Sequence, residues 1–308
     1  MYSLSQLKRG FATPALFLRE ANRLYHRRLN SRDYNTDGVD IFAEDWDNLL
    51  ILDACRYDMF AEQADLGGRL ESRVSRGSST REFLKGNFQG RELHDTVYVT
   101  ANPQLYRHRD WLNTSFHAVD HVWMEEGWDN EHMTVLPETT TTAALRAAEK
   151  YPDKRLLVHY IQPHYPFIID GDGSQPFDPD QAFLKPDEAG SWNQLLTGDL
   201  QASTETVWCA YRNNLDRSLP HVVDLLADLD GRSVVSSDHG NMVGERARPF
   251  PIREWGHPRG IYTDQLVTVP WLVVEGERRD IVAEAPTSRD DETTDDVVAD
   301  RLEQLGYL

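Results

Sequence analysis

Six short apolar runs punctuate this sequence: Asp47 to Asp53, Val97 to Thr100, Ala118 to Trp123, Leu156 to Tyr160, Ser233 to Ser236 and Trp271 to Val274. Each is too short for a helix buried on all sides and suits a strand covered on both faces. Between them lie stretches of helical period, notably Thr139 to Glu149 and Thr204 to Leu229. Strands alternating with helices predict an α/β fold whose central sheet is mostly parallel, with helices on both faces. In such a sheet the carboxyl ends of the strands share one edge, where these folds place their chemistry.

What stands at that edge is distinctive. The run Val234-Val235 ends in Ser236-Ser237-Asp238-His239-Gly240, a carboxylate and an imidazole side by side. The run Leu49 to Leu52 ends at Asp53, which alone would serve equally well to cap the next helix. Arg76-Gly77-Ser78-Ser79-Thr80-Arg81 is a turn opened by Gly that offers three hydroxyls and two arginines. His257 follows Gly256 just before the last run. Two carboxylates, one imidazole and a hydroxyl make a compact divalent-metal set, and a metal can turn a hydroxyl into a nucleophile. Arg76 and Arg81 suit an anionic ester group.

Composition narrows the field of partners. The 308 residues carry a net charge of −19, from 51 acidic and 32 basic side chains, and the basic set is 27 Arg to 5 Lys. An acidic surface almost without Lys fits a protein kept soluble at high salt, as in haloarchaea; the plainer reading is an acidic protein that prefers Arg. Bare nucleic acid is excluded as an expected partner, because phosphate backbones need basic patches. Cys55 and Cys209 make neither a disulfide framework nor a zinc-finger spacing, so free thiols are expected. No run approaches the ~18 apolar residues of a membrane span, and no leader pattern follows Lys8 and Arg9. The expected location is therefore cytoplasmic, with the membrane surface as the second option.

That option comes from the first 33 residues, which read as a helical arm. Thr13-Pro14 is a helix start, and the helix is expected to run to about Leu29. Leu16, Phe17, Ala21, Leu24 and Tyr25 make an apolar side, and Arg19, Arg23, Arg27 and Arg28 a basic one. Docking of the apolar side on the domain is the favoured reading; contact with an anionic membrane is the other. Residues 170–200, rich in Asp, Gly, Pro and Ser, read as a surface excursion, and residues 281–308 as an acidic tail with a closing helix.

The order of these blocks resembles the alkaline phosphatase superfamily, and within it the sulfatase-like branch. Leu50 to Asp58 is similar to that family's first strand, whose terminal Asp binds metal. Val235 to Gly240 with Gly244-Glu245 is similar to its Asp-His block, and Trp255-Gly256-His257 to the block after it. His159 to Phe167 resembles the family's Pro-His-x-Pro-aromatic turn, and Tyr211 to Asp216 fits the helix before the Asp-His block. The resemblance spans residues 47–275 and implies a catalytic domain over residues 34–280. By it, Asp53, Thr80, Asp238 and His239 bind one divalent metal (Zn, Mn, Mg or Ca). Thr80, with Ser79 as runner-up, is the nucleophile. His164, His257 and Arg81 meet the substrate, and His159 is structural.

Two departures shape the expected activity. Ser79-Thr80-Arg81-Glu82-Phe83 lacks the Pro and Arg of the sulfatase Cys/Ser-x-Pro-x-Arg motif, which favours phosphoester or phosphodiester chemistry. Where two-metal members have Asp and His four residues apart after the Pro, this chain has His164 and Ile168, so no second metal is expected. The expected function is a metal-dependent hydrolase or transferase acting on a small-molecule, glycan-linked or lipid-linked anionic ester. An atypical sulfatase is the first alternative, and a non-catalytic anion- or glycan-binding family member the second.

Overall fold

The computed structural model describes residues 14–124, 127–168, 191–286 and 294–307. Seven strands form one sheet: β1 (Asn48–Leu52), β2 (Arg69–Val74), β3 (Glu92–Thr100), β4 (Ser115–His121), β5 (Arg155–Tyr160), β6 (Ser233–Ser236) and β9 (Thr268–Val274). Their spatial order is β2-β9-β6-β1-β5-β3-β4. Strands β7 (Met242–Arg246) and β8 (Arg253–Gly256) make a separate antiparallel ribbon. The helices are α1 (Pro14–His26), α2 (Tyr57–Gln63), α3 (Thr80–Phe88), α4 (Gln104–Arg107), α5 (Arg109–Leu112), α6 (Pro137–Lys150), α7 (Ser191–Thr197), α8 (Thr204–Asp228), α9 (Asp264–Val267) and α10 (Asp295–Gln304). None is long and apolar enough to cross a membrane.

The middle of the sheet, β6-β1-β5-β3-β4, is parallel throughout. Alternation along each strand serves two cores. Leu50 and Leu52 pack with Val97, Val99, Leu156, Val158 and helices α6 and α8 on one face. Leu49 and Ile51 pack with Tyr98, Leu157, Val234 and the α3 residues Phe83, Leu84 and Phe88 on the other. Successive strand residues point to opposite faces, so an unbroken apolar run is what a sheet covered twice requires. Each fully buried side chain of this kind contributes about 1.5–3 kcal/mol.

The edge strand β2 is absent from the six runs because it is half-solvated. Its sequence Arg69-Leu70-Glu71-Ser72-Arg73-Val74 is fully exposed or half-buried along its length. It pairs antiparallel with β9, which itself runs antiparallel to β6. Two reversals bring the end of β2, and the hydroxyl turn that follows it, back to the shared carboxyl edge. The same reversal brings the start of β9, and the segment before it, to that edge.

The arm docks, with Leu16, Ala21 and Leu24 of its apolar side only half-buried. Phe17 and Tyr25 are exposed, whereas Arg19 and Asn22 are the buried residues of α1. Arg19 Nε donates to both oxygens of the fully buried Glu254 on β8, at 3.0 and 2.9 Å. Asn22 exchanges two hydrogen bonds with the backbone of Phe250, at 2.9 and 2.8 Å. The helix stops at His26, and Arg28, Leu29 and Asn30 turn through positive φ. Within the tail, Val298 and Leu302 of α10 and Leu305 just after it are buried in the main core. Most of the 170–200 excursion lies outside the described residues; its end forms α7.

Removing one partner of a buried ion pair strands the other charge, at a cost of about 3–5 kcal/mol. Arg19→Met is expected to lose stability of that order in urea unfolding, and the double variant Arg19→Met/Glu254→Met to recover most of it. An unchanged midpoint for the single variant would show that the pair does not anchor the arm.

Candidate metal and ester site

Asp53 leaves β1 into a tight turn in which Ala54 has φ 59°. The turn is tied on every side. Ala54 N donates to Asp238 Oδ1 at 3.0 Å, Cys55 N to Ser237 Oγ at 2.9 Å, and the Ala54 carbonyl accepts from the Tyr211 hydroxyl. These bonds fasten the β1 and β6 ends together, so Asp53 and Asp238 are held side by side with no exposure to solvent. Arg56 binds Asp58, the Asn241 carbonyl and Glu245 behind this turn, which makes Arg56 and Asp58 structural ties.

The free valences converge. Asp238 Oδ1 is used by the backbone N–H groups of Ala54 and His239, the latter at 2.8 Å, while Oδ2 has no hydrogen-bond partner. Asp53 Oδ2 accepts from Asn102 Nδ2 and the Tyr307 hydroxyl, both at 2.6 Å, while Oδ1 has none. His239 Nδ1 lies 2.8 Å from the Gly240 carbonyl and must donate to it, so Nε2 presents a lone pair. That lone pair stands 3.3 Å from Asp238 Oδ2, 3.6 Å from Asp53 Oδ1 and 3.3 Å from Thr80 Oγ1.

Bare carboxylate oxygens deep in a protein are costly without a partner. Asp53, Asp238 and His239 form a fully buried group whose ligand atoms lie within 4.8 Å of one another. Two carboxylate oxygens, an imidazole nitrogen and an alcohol suit a divalent cation. The residues present therefore fit the metal that the strand-end pattern implies. Burial pushes the Asp53 carboxyl up, but the neighbouring imidazoles of His164, His159 and His239 outweigh it and hold it well below the usual carboxylate range.

Thr80 is the first residue of α3, not its cap; Ser79 holds the cap position in extended backbone and makes no capping bond. The Thr80 hydroxyl also reaches Asp53 Oδ2 and the Tyr307 hydroxyl, each at 3.5 Å. The Ser79 hydroxyl is buried and without a hydrogen-bond partner among the described residues. Ser78 is structural: its hydroxyl binds Glu82 and the Pro258 carbonyl and accepts from Gly260 N. Arg76 is spent on the Gly86 carbonyl and Asp40, so of the two arginines beside the hydroxyls only Arg81 is left for an anion.

His164 and His257 meet over this group. Their Nε2 atoms are 2.8 Å apart, so one carries the proton and the other accepts it. Burial lowers the pKa of both, that of His257 the further. The Asn214 amide holds the turn around His164 through the carbonyls of Pro163, His164 and Pro166, at 3.2, 2.9 and 3.3 Å. Gly256 precedes His257 with φ 72°, and a Cβ there would strike Trp192 at 2.7 Å. The chain can bring His257 in only through glycine.

Two residues at the site run against or beyond the sequence reading. His159, expected to be structural, points its Nε2 at the centre, 3.4 Å from Asp53 Oδ2 and 3.9 Å from Asp238 Oδ2. Tyr98 binds its other nitrogen at 2.8 Å. β5 lies beside β1 with His159 paired to Ile51, which sets the imidazole beside the Asp53 carboxylate. Tyr307 was not foreseen. Its ring stacks on His164 at 4.6 Å, and its hydroxyl bonds Asp53 and, at 2.7 Å, Asn102. A residue after the closing helix carries no spacing signal that links it to Asp53.

No known family model matches the sequence, and no curated protein matches it. Among solved structures it is similar to the soluble domain of lipooligosaccharide phosphoethanolamine transferase A from Neisseria meningitidis, at 13% identity over 73% of this chain and 75% of that one, TM-score 0.47. It is similar to a protein in the alkaline phosphatase superfamily from Vibrio parahaemolyticus, at 10% identity over 76% and 60%, TM-score 0.42. A third is the phosphonate monoester hydrolase SpPMH from Silicibacter pomeroyi, at 14% identity over 84% and 72%, TM-score 0.41. Likenesses this distant carry no argument about chemistry, which rests on the side chains described above.

If a cation is bound here, adding Zn, Mn, Mg or Ca to metal-stripped protein is expected to raise its melting temperature. Occupancy at a hundredfold excess over Kd is worth about 2.7 kcal/mol. Asp238→Asn keeps an oxygen for the Ala54 and His239 N–H groups but removes the free carboxylate charge, and is expected to abolish the gain. A wild-type chain indifferent to all four ions would overturn the assignment.

Proposed function

We propose that this chain is a metal-dependent enzyme of the alkaline phosphatase type that acts on a phosphate ester, with Thr80 as nucleophile. The observation that carries the reading is the position of Thr80 Oγ1, 3.3 Å from His239 Nε2, the same nitrogen that faces the partnerless oxygens of Asp53 and Asp238. Asp53, Asp238, His239 and Thr80 would hold the cation, which when bound would supply Lewis acidity toward a hydroxyl and the ester oxygens. Thr80 Oγ attacks phosphorus as the bond to the leaving oxygen breaks, and water or an alcohol then takes the phosphoryl group from Thr80. His164 and His257 stand ready to hydrogen-bond the ester oxygens, because a substrate oxygen can replace one ring as the partner of the other.

Thr80 favours phosphorus over sulfur chemistry. The sulfatase motif needs a Cys or Ser for its modification, and the Ser here, Ser79, does not make the contacts that Thr80 makes. A phosphoryl oxygen in reach of Thr80 must also take the place of the Tyr307 hydroxyl, which now lies 3.5 Å from it. Burial and the charges of Asp53 and Asp238 raise the Tyr307 pKa, so the phenol stays neutral and leaves without carrying charge into solvent.

Thr80→Ala is expected to lower kcat on p-nitrophenyl phosphate or bis(p-nitrophenyl) phosphate by a factor on the order of 10³, as loss of a covalent nucleophile does. Thr80→Ser should retain measurable turnover. Undiminished activity in Thr80→Ala removes Thr80 from the mechanism, and turnover of p-nitrophenyl sulfate alone rejects the phosphate reading. Tyr307→Ala is expected to raise kcat/KM for the same esters several-fold, about 1 kcal/mol for a hydrogen bond no longer broken on entry. A fall would make Tyr307 part of the substrate site instead.

A further inference from the structure

We propose that the pocket bounded by Arg27, Arg81, Lys85, Arg259 and Trp111 binds a second anionic group of the substrate, so that the ester processed at Thr80 carries a further phosphate or carboxylate. The inference rests on the ester reading for the word substrate, but the pocket stands on its own geometry.

The pocket encloses about 270 Å³ between α1, α3, α5 and the loop after β8. It gathers four cations in a chain whose net charge is −19. Asp33 is shared by two of them, taking Lys85 at 2.8 Å and Arg27 at 3.3 Å. Glu82 also lines the pocket, and its charge, with that of Glu20, acts on Arg259, but it forms no ion pair with these cations. Its carboxylate is taken up by Ser78, Gly260 N and Tyr262, and burial raises its pKa. Arg81 and Arg259 make no ion pair among the described residues, although 51 acidic side chains were available to the chain. Arg81 lies over the Trp111 ring at 5.5 Å.

These cations feel one another. Burial and then the charges of Arg81 and Arg27 lower the Arg259 pKa. Burial and then Arg81, Arg107 and Arg259 push the nearby His108 down to about 4. Four cations against the two carboxylates of Asp33 and Glu82 leave an excess of positive charge, which a phosphate or carboxylate placed between two guanidinium forks would relieve. Trp111 adds a flat apolar face for the part of the molecule that joins the two anions.

Position links the pocket to the ester site. Arg81 follows Thr80 directly, with α-carbons about 3.8 Å apart. Arg259 is two residues from His257, and the loop between them is clamped to the hydroxyl turn by Ser78 to Pro258 O at 3.1 Å and Gly260 N to Ser78 Oγ at 2.9 Å. The pocket and the hydroxyl turn are thus joined through adjacent residues on two segments of the chain.

Inorganic pyrophosphate, titrated calorimetrically into the full chain, tests this. The background is Asp238→Asn, in which the metal group no longer offers a competing site. One binding event is expected, weakened by about tenfold or more in Arg81→Gln/Arg259→Gln, with partial recovery in Arg81→Lys/Arg259→Lys, which keeps charge but loses the fork. Equal binding by the Gln double variant, or no binding in the parent, overturns the proposal. Retention on phosphatidylglycerol vesicles, lost in the same Gln variant, would identify the anion as a lipid headgroup. Pyrophosphate binding without such retention would identify it as soluble. Because binding is read directly, an absence of esterase activity, or its loss in Thr80→Ala, leaves this measurement intact and separates the two failures.

Discussion

Two carboxylates sit side by side without solvent at the ends of adjacent strands, and much of the local structure answers that constraint. Asp53 and Asp238 repel each other at close range, and the interior offers little dielectric screening. The chain supports one oxygen of each with N–H and O–H donors: Asn102 and Tyr307 on Asp53, backbone amides on Asp238. It leaves the other two facing a common point with the His239 lone pair. Without a cation there, that division of labour would be hard to reconcile with a stable fold. With one, the donors around it become the groups that orient the ligands.

The scaffold that enforces this is a matter of topology. A parallel β6-β1-β5 core brings Asp238, Asp53 and the turn after Tyr160 to one edge. The antiparallel pair β9 and β2 then delivers His257 and Thr80 to the same edge from opposite chain directions. The ribbon β7-β8 carries His257 inward and is itself braced by α1 through the buried pair Arg19 and Glu254. The arm thus braces the ribbon that carries His257, even though Phe17 and Tyr25 on it are exposed.

How much of this could be read from the sequence depends on how local the signal is. The strands buried on both faces announce themselves through their central apolar residues, and the residues that end them are conspicuous for the same reason. Asp53, Asp238, His239 and Thr80 were legible as strand-end or turn residues, and the structure brings them together. Strand β2 was not legible, since an edge strand with Arg and Glu on it looks like surface. Nor was the docking face of α1, where an Arg-Glu pair is buried while Leu16, Ala21 and Leu24, which periodicity favours, are only half-buried. That His159 reaches Asp53 was not legible, since its nearness depends on β5 lying beside β1. Tyr307 depends on a helix folding back across the whole domain, which no local pattern encodes.

Tyr307 also bears on why the site is closed. Asp53, Asp238 and His239 are wholly buried, and Thr80 nearly so, with the phenol ring laid on His164 above them. Excluding water from such a group strengthens every electrostatic contact inside it, at the cost of admitting substrate only when something moves. The stack and two good hydrogen bonds are a modest restraint, of order 1 kcal/mol each in net terms. An anion drawn to the Arg81 guanidinium beside Thr80 would have more than that to offer in exchange. The balance between a weakly held neutral phenol and a strongly attracted anion is what would let a buried site of this kind stay closed when empty and open to the right ligand.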